Sequence, residues 1–185
     1  MYPKQSVYEN LPLDLSRKQI RLVQIEPGRP DDVLTCKLFC VALRQPACPF
    51  HALSYTWDQD PPTRTVKINE TDFLVRRNLY SALVQLRHPS FPVRLWVDAI
   101  CINQDSIVER NSQVPLMGDI YSSAAKVIFW LGEGNNTTDL ALQALKRLVV
   151  LSQEPECTKT GMNDIFTRPW FDRTWTVQEL ASAEN

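Results

Sequence analysis

From residue 52 onward, short apolar runs alternate with amphipathic stretches, and this alternation narrows the possible folds more than any other feature of the chain. Ala52-Leu-Ser-Tyr55 is a short apolar strand that opens into Trp57-Asp58. Thr65–Ile68 and Phe73–Val75 flank Asn69-Glu-Thr-Asp72, the form of a small β-hairpin. Leu79, Ala82, Leu83 and Leu86 recur at i, i+3, i+4 and i+7, predicting a helix that Asn78 caps and Pro89 ends. Arg94–Ile100 reads as a buried strand. A helical stretch over 106–123 follows, opened by the capping box Ser106-x-x-Glu109. Pro115 lies too deep for that helix to run unbroken, which predicts a kink or a restart with Ser112 as the new cap. Lys126–Leu131 is another buried strand, closed by Gly132-Glu-Gly-Asn-Asn136. Asp139–Leu151 is an amphipathic helix, and a last helix starts near Asp172. The order is that of an α/β domain whose central sheet is mainly parallel and flanked by helices.

Upstream, residues 1–19 are polar and irregular, a lead-in to the folded part. Ile20–Ile25 and Thr35–Leu43 read as two strands that pair antiparallel across a Pro-Gly-Arg-Pro-Asp-Asp turn. The expected architecture is therefore the parallel sheet with an added N-terminal β-ribbon and a hairpin insertion. A length of 185 residues suits a single domain, 1–185. The chain stops within or just after a helix, so it is expected to be the N-terminal part of a longer one.

Charge and composition exclude several function classes. A formal net charge of −1 supplies no field to attract nucleic acid or an anionic membrane. No apolar run is long enough for a membrane span, and Met1-Tyr-Pro-Lys-Gln has no signal-peptide core behind it. Five cysteines form no CxxC pair, and two histidines are poor material for a metal site, so no metal is expected. Reduced thiols imply a cytoplasmic protein.

Two clusters carry the polar chemistry: Leu95-Trp-Val-Asp-Ala-Ile-Cys-Ile-Asn-Gln104 and Trp170-Phe-Asp-Arg-Thr-Trp-Thr-Val-Gln-Glu179. Hydrogen-bonding groups placed among large aromatics cost free energy unless paired, which marks both as walls of one site. In open α/β sheets ligands bind outside the carboxyl ends of the strands, where Tyr55–Asp58, Asp98–Gln104 and Gly132–Asn136 fall. Tyr55 and Trp57 can stack on a flat ring, Trp57 being the better surface candidate. Asp98 can orient a ligand hydroxyl or cap the loop that follows it. Asn103 and Gln104 can donate and accept, for a ligand or for the loop itself. Trp96, Phe129 and Trp130 are assigned to packing. Cys101, between Ile100 and Ile102, reads as a small core residue rather than a nucleophile partnered by His51.

These motifs resemble the fungal heterokaryon-incompatibility (HET) domain. The resemblance rests on Leu53-Ser-Tyr-Thr-Trp57, on the 95–104 cluster followed by Glu109-Arg110, and on Met117-Gly-Asp-Ile-Tyr121, Trp130-Leu-Gly132 and Arg168–Glu179. It covers nearly the whole chain. Asp58 departs from the family's usual glycine, and Pro115 interrupts a segment the family keeps helical. The resemblance implies a role in non-self recognition and programmed cell death, with self-association or activation by fused signalling domains. HET domains are distantly similar to TIR domains, a flavodoxin-like fold, many of which cleave NAD with a glutamate in a Trp-x-x-x-Glu helix. Trp175-Thr-Val-Gln-Glu179 has that spacing, so the analogy implies Glu179 as the catalytic carboxylate and NAD as substrate, with no further cofactor. Tyr55, Trp57, Asp98, Asn103, Gln104, Trp175 and Gln178 would shape the pocket, and Arg173 would either bind pyrophosphate or lock Glu179. Two other readings stay open: a non-catalytic module that acts by self-assembly, and a sensor that binds nucleotide without turnover.

Overall fold

The computed structural model of the protein describes residues 7–44, 48–134 and 138. Among the described residues seven strands form one sheet: β1 (Gln19–Ile25), β2 (Thr35–Ala42), β3 (His51–Tyr55), β4 (Arg64–Ile68), β5 (Thr71–Val75), β6 (Val93–Trp96) and β7 (Lys126–Trp130). Their spatial order is β5-β4-β2-β1-β6-β3-β7.

The sheet is mixed, which corrects the expectation of a mainly parallel one. The pairs β3–β6, β3–β7 and β2–β4 are parallel, whereas β1–β2, β1–β6 and β4–β5 are antiparallel. The β1–β2 ribbon forms as predicted, with Gln19 opposite Ala42 and Ile25 opposite Cys36. It is not an addition, however. Val23, Gln24 and Ile25 of β1 also pair with Leu95, Arg94 and Val93 of β6, so β1 sits in mid-sheet. A strand covered on both faces needs a near-continuous apolar run, and Ile20, Leu22, Val23 and Ile25 are all buried. Nothing in this strand order supports a flavodoxin-like, TIR-like arrangement.

The β4–β5 hairpin forms as expected. Asn69 and Glu70 both take positive φ, 47° and 64°, the primed-turn conformation that matches the twist of a two-residue hairpin. Asn69 then bonds both backbone groups of Leu38 with its side-chain amide, at 2.9 and 3.0 Å, tying the hairpin to β2.

Helix α1 (Arg77–Leu86) presents the predicted face, with Leu79, Ala82 and Leu83 buried. Its cap differs: the N-cap position is Arg76, which makes no side-chain cap bond, and Asn78 lies inside the helix. The strand expected over 94–100 ends at Trp96, and a single helical turn, α2 (Asp98–Cys101), replaces its second half. The turn forms because the Ala99 amide donates to Asp98 Oδ1 at 2.7 Å and the Ile100 and Cys101 amides turn back to the Val97 carbonyl. Helix α3 (Ile107–Gln113) opens on the predicted Ser106 cap, whose hydroxyl accepts from the Glu109 amide at 3.2 Å. Pro115 is absorbed by a 3-10 turn (Val114–Leu116) before α4 (Met117–Ser123). Ser112 remains inside α3, donating to the Glu109 carbonyl at 2.8 Å, and caps nothing. Trp96 is fully buried as assigned, edge-on to Tyr121 at 5.6 Å. Within the predicted lead-in, Val7 and Tyr8 are buried, and Tyr8 donates to the carbonyls of Ile100 and Ile102 at 2.9 and 3.3 Å.

Candidate functional site

The parallel block β6-β3-β7 points three strand ends in one direction, and residues just beyond β3 and β7, with the start of α1, rim a cleft of about 580 Å³. The segment after β3 supplies Thr56, Trp57, Asp58 and Asp60. The first turns of α1 supply Arg77, Asn78 and Ser81, and the segment after β7 supplies Glu133. A smaller hollow of about 220 Å³ lies alongside, lined by Tyr55, Arg76, Ala99 and Gln104 among others. Trp57 lines both and stands as the wall between them.

Trp57 is 38% exposed yet held on two sides. Its indole nitrogen donates to Asp98 Oδ2 at 3.1 Å and to Oδ1 at 3.3 Å. The Arg76 guanidinium lies 5.5 Å from its ring centre, a cation–π contact, and donates to the carbonyls of Asp58 and Asp60. Around it Asn78 acts as a junction. Its Nδ2 donates to the Thr56 carbonyl at 2.8 Å, and its Oδ1 accepts from Trp130 Nε1 at 2.7 Å, which joins the exits of β3 and β7. Asp58 Oδ2 accepts from the Asn78 amide at 2.7 Å and so performs the capping expected of Asn78. Glu133 Oε1 accepts from the Ser81 hydroxyl at 2.6 Å. The Arg77 side chain, exposed at the rim, makes no hydrogen bond or ion pair among the described residues.

The predicted residues divide as follows. Trp57 is the partly exposed aromatic it was expected to be, and Asp98 both accepts from the Ala99 amide within its own turn and orients that indole. Tyr55 is buried, reaching the smaller hollow but not an open face. Gln104 Nε2 donates to the Asp98 carbonyl at 2.9 Å and fixes the loop. Asn103 is turned away from the cleft: its Oδ1 accepts from the Asp105 amide at 3.1 Å, and it lines a separate hollow of about 320 Å³. Arg173, Trp175, Gln178 and Glu179 lie outside the described residues. Arg76, Arg77, Asn78 and Ser81 are not among the site residues expected from the sequence, whereas Glu133 falls in the expected Gly132–Asn136 segment. The run Arg76-Arg77-Asn78 at the start of a helix that follows a hairpin was the available signal.

The Cys101 thiol is buried, and desolvation pushes its pKa up to about 12, which removes the thiolate a nucleophile requires. The Val97 amide donates to its sulfur at 3.4 Å. His51 begins β3, at the strand end opposite Tyr55, where burial first and then Lys126 lower its pKa. Among the described residues no group of His, Cys, Asp and Glu is placed to hold a metal ion, and no helix is long and apolar enough to cross a membrane.

Residues 50–179 match the family described as "Heterokaryon incompatibility protein (HET)". The chain is also similar to "Heterokaryon incompatibility protein 6, OR allele" of Neurospora crassa, with 32% identity over 228 aligned residues covering 94% of this chain and 33% of the relative. The chain thus spans about a third of the length of that relative. No solved structure matches it. The matched stretch includes Trp57, Asp98 and Gln104 and extends to Glu179.

Proposed function

The chain belongs to the heterokaryon-incompatibility (HET) family, and from that membership we propose that it is a cytoplasmic effector domain of fungal non-self recognition and programmed cell death. The cleft beyond β3 and β7 is its working surface. One observation carries this placement: a partly exposed indole, Trp57, is oriented at a strand-end cleft by a carboxylate that arrives from a different strand. Such an aromatic offers a stacking face to a flat ring at low entropic cost.

The finer reading is that the cleft takes NAD or a related nucleotide and that the domain cleaves the nicotinamide–ribose bond. Trp57 suits a base or nicotinamide ring, Arg77 suits a phosphate, and Asp58 and Glu133 are acceptors for ribose hydroxyls. In the reaction the bond from C1′ to the nicotinamide nitrogen breaks and its electron pair leaves with the ring. Water adds to C1′ and releases its proton. Glu179 is the carboxylate assigned to stabilise the oxocarbenium character that develops on the ribose.

Nicotinamide release from NAD tests this reading in the full chain, with wild type compared against Glu179→Ala and Trp57→Ala. Release that both substitutions abolish while folding is preserved supports it. NAD left intact, even after enforced oligomerisation, overturns it. A second reading, signalling by self-assembly without turnover, draws on Ile107 and Val108, adjacent aliphatics that are 65% and 72% exposed. Intact NAD together with concentration-dependent oligomers favours that alternative.

A further inference from the structure

A buried ion pair lies at the separate hollow that Asn103 also lines. Arg21, in the middle of β1, is 1% exposed, and the Glu109 side chain of α3 is 14% exposed. The pair is bidentate, Nη1 to Oε1 at 2.5 Å and Nη2 to Oε2 at 3.1 Å. Each partner also holds backbone. Arg21 Nη1 donates to the Cys101 carbonyl at 3.1 Å, Arg21 Nε donates to the Leu11 carbonyl at 2.9 Å, and Glu109 Oε1 accepts from the Asn103 amide at 2.6 Å. The guanidinium lies 4.9 Å from the centre of the Tyr8 ring.

Stability alone does not account for this arrangement. Apolar residues of similar volume commonly stabilise a core as well as a buried ion pair does, or better, because the pair must be stripped of water. What an apolar pair cannot do is bind two successive parts of one short segment at fixed points. The segment held here begins at Asp98, and its far end is tied back to its start by Gln104 Nε2 on the Asp98 carbonyl.

We propose that Arg21 and Glu109 are positioning residues for the cleft: they set the register of the 98–104 segment, and through it the Asp98 carboxylate that orients Trp57. The functional weight of the proposal rests on the cleft's being the working surface. Its test uses no nucleotide, so the two can fail separately.

The indole N–H signals of the full-length protein report the outcome. Trp57 donates to Asp98, whereas Trp130 donates to Asn78 and serves as the internal control. In the double variant Arg21→Met/Glu109→Leu, which keeps the volume filled, the Trp57 indole signal is expected to shift, and its proton to exchange about tenfold faster. The Trp130 signal stays in place. A folded double variant with an unmoved Trp57 signal overturns the proposal, because a purely structural pair would alter stability without moving that indole. Should the double variant fail to fold, Glu109→Ala and Glu109→Gln decide. Alanine is expected to displace the signal, and glutamine, which keeps an acceptor for the Asn103 amide, to return it toward wild type. Identical Trp57 signals in these two variants overturn the proposal as well.

Discussion

The indole nitrogen of Trp57 reaches both carboxylate oxygens of Asp98, at 3.1 and 3.3 Å, across 41 residues of sequence. This contact joins the exits of two neighbouring parallel strands and leaves the indole partly exposed at the cleft. Asp98 has a second duty on the Ala99 amide. Asp98→Ala is therefore expected to cost about 2 kcal/mol, the combined loss of two charge-assisted hydrogen bonds with partial solvent access. Asp98→Asn should cost roughly half as much, since the amide oxygen still accepts. Urea denaturation followed by tryptophan emission measures both, and equal costs for the two would contradict the assignment.

Asp58 caps α1 from the β3–β4 loop, across the intervening hairpin, by accepting from the Asn78 backbone amide. Replacing it with alanine is expected to destabilise the protein by about 1 kcal/mol, with asparagine retaining most of the wild-type value. Helix fraying should show as faster amide exchange confined to the first turn of α1. Uniformly faster exchange across the helix would point to a different cause.

The Arg21–Glu109 pair makes a prediction about non-additivity. Arg21→Met strands a largely buried carboxylate and should cost about 3–5 kcal/mol. Adding Glu109→Leu to it should recover much of that loss, so the double variant is more stable than the single one. Chemical denaturation of the four species closes the cycle. Simple additivity would show that the two side chains do not interact.

Alkaline pH should weaken the fold through its buried thiols. Desolvation raises Cys36 and Cys101 from 9.0 to about 12. A folded-state value above the unfolded one contributes stability that is complete below pH 9 and lost as the pH climbs toward 12. The expected decline is about 1.4 kcal/mol per pH unit for each thiol. Tyr8, raised chiefly by its burial, acts in the same direction. The urea midpoint should therefore fall between pH 9 and 11. At pH 8 thiol reagents should label Cys40 and Cys48, which are only partly buried, before Cys36 and Cys101.

Much of this was legible in the chain because it is local chemistry. The β4–β5 turn, the apolar face of α1, the Ser106 cap and the burial of Trp96 follow from periodicity and capping rules that act over a few residues. Trp57 was recognisable as a surface aromatic because it stands past the end of an apolar strand beside an acidic residue. The shortened β6 was missed because Val97–Ile100 is as apolar as a strand. The Asp98 carboxylate on the Ala99 amide and the return of the Ile100 and Cys101 amides to the Val97 carbonyl outweigh that preference.

What local pattern decided was which segments are strands and helices and which polar groups stand at their ends. Tertiary pairing alone decided that β1 lies in mid-sheet rather than at a margin, that Arg21 inside an apolar run meets Glu109, and that Asn103 turns from the cleft while Asn78 turns toward it. The physical reason is that an apolar run states only that a strand is covered on both faces. Which strand lies beside it, and in which direction, depends on hydrogen-bond registers and buried charges between residues far apart in sequence, and those exist only once the sheet has assembled.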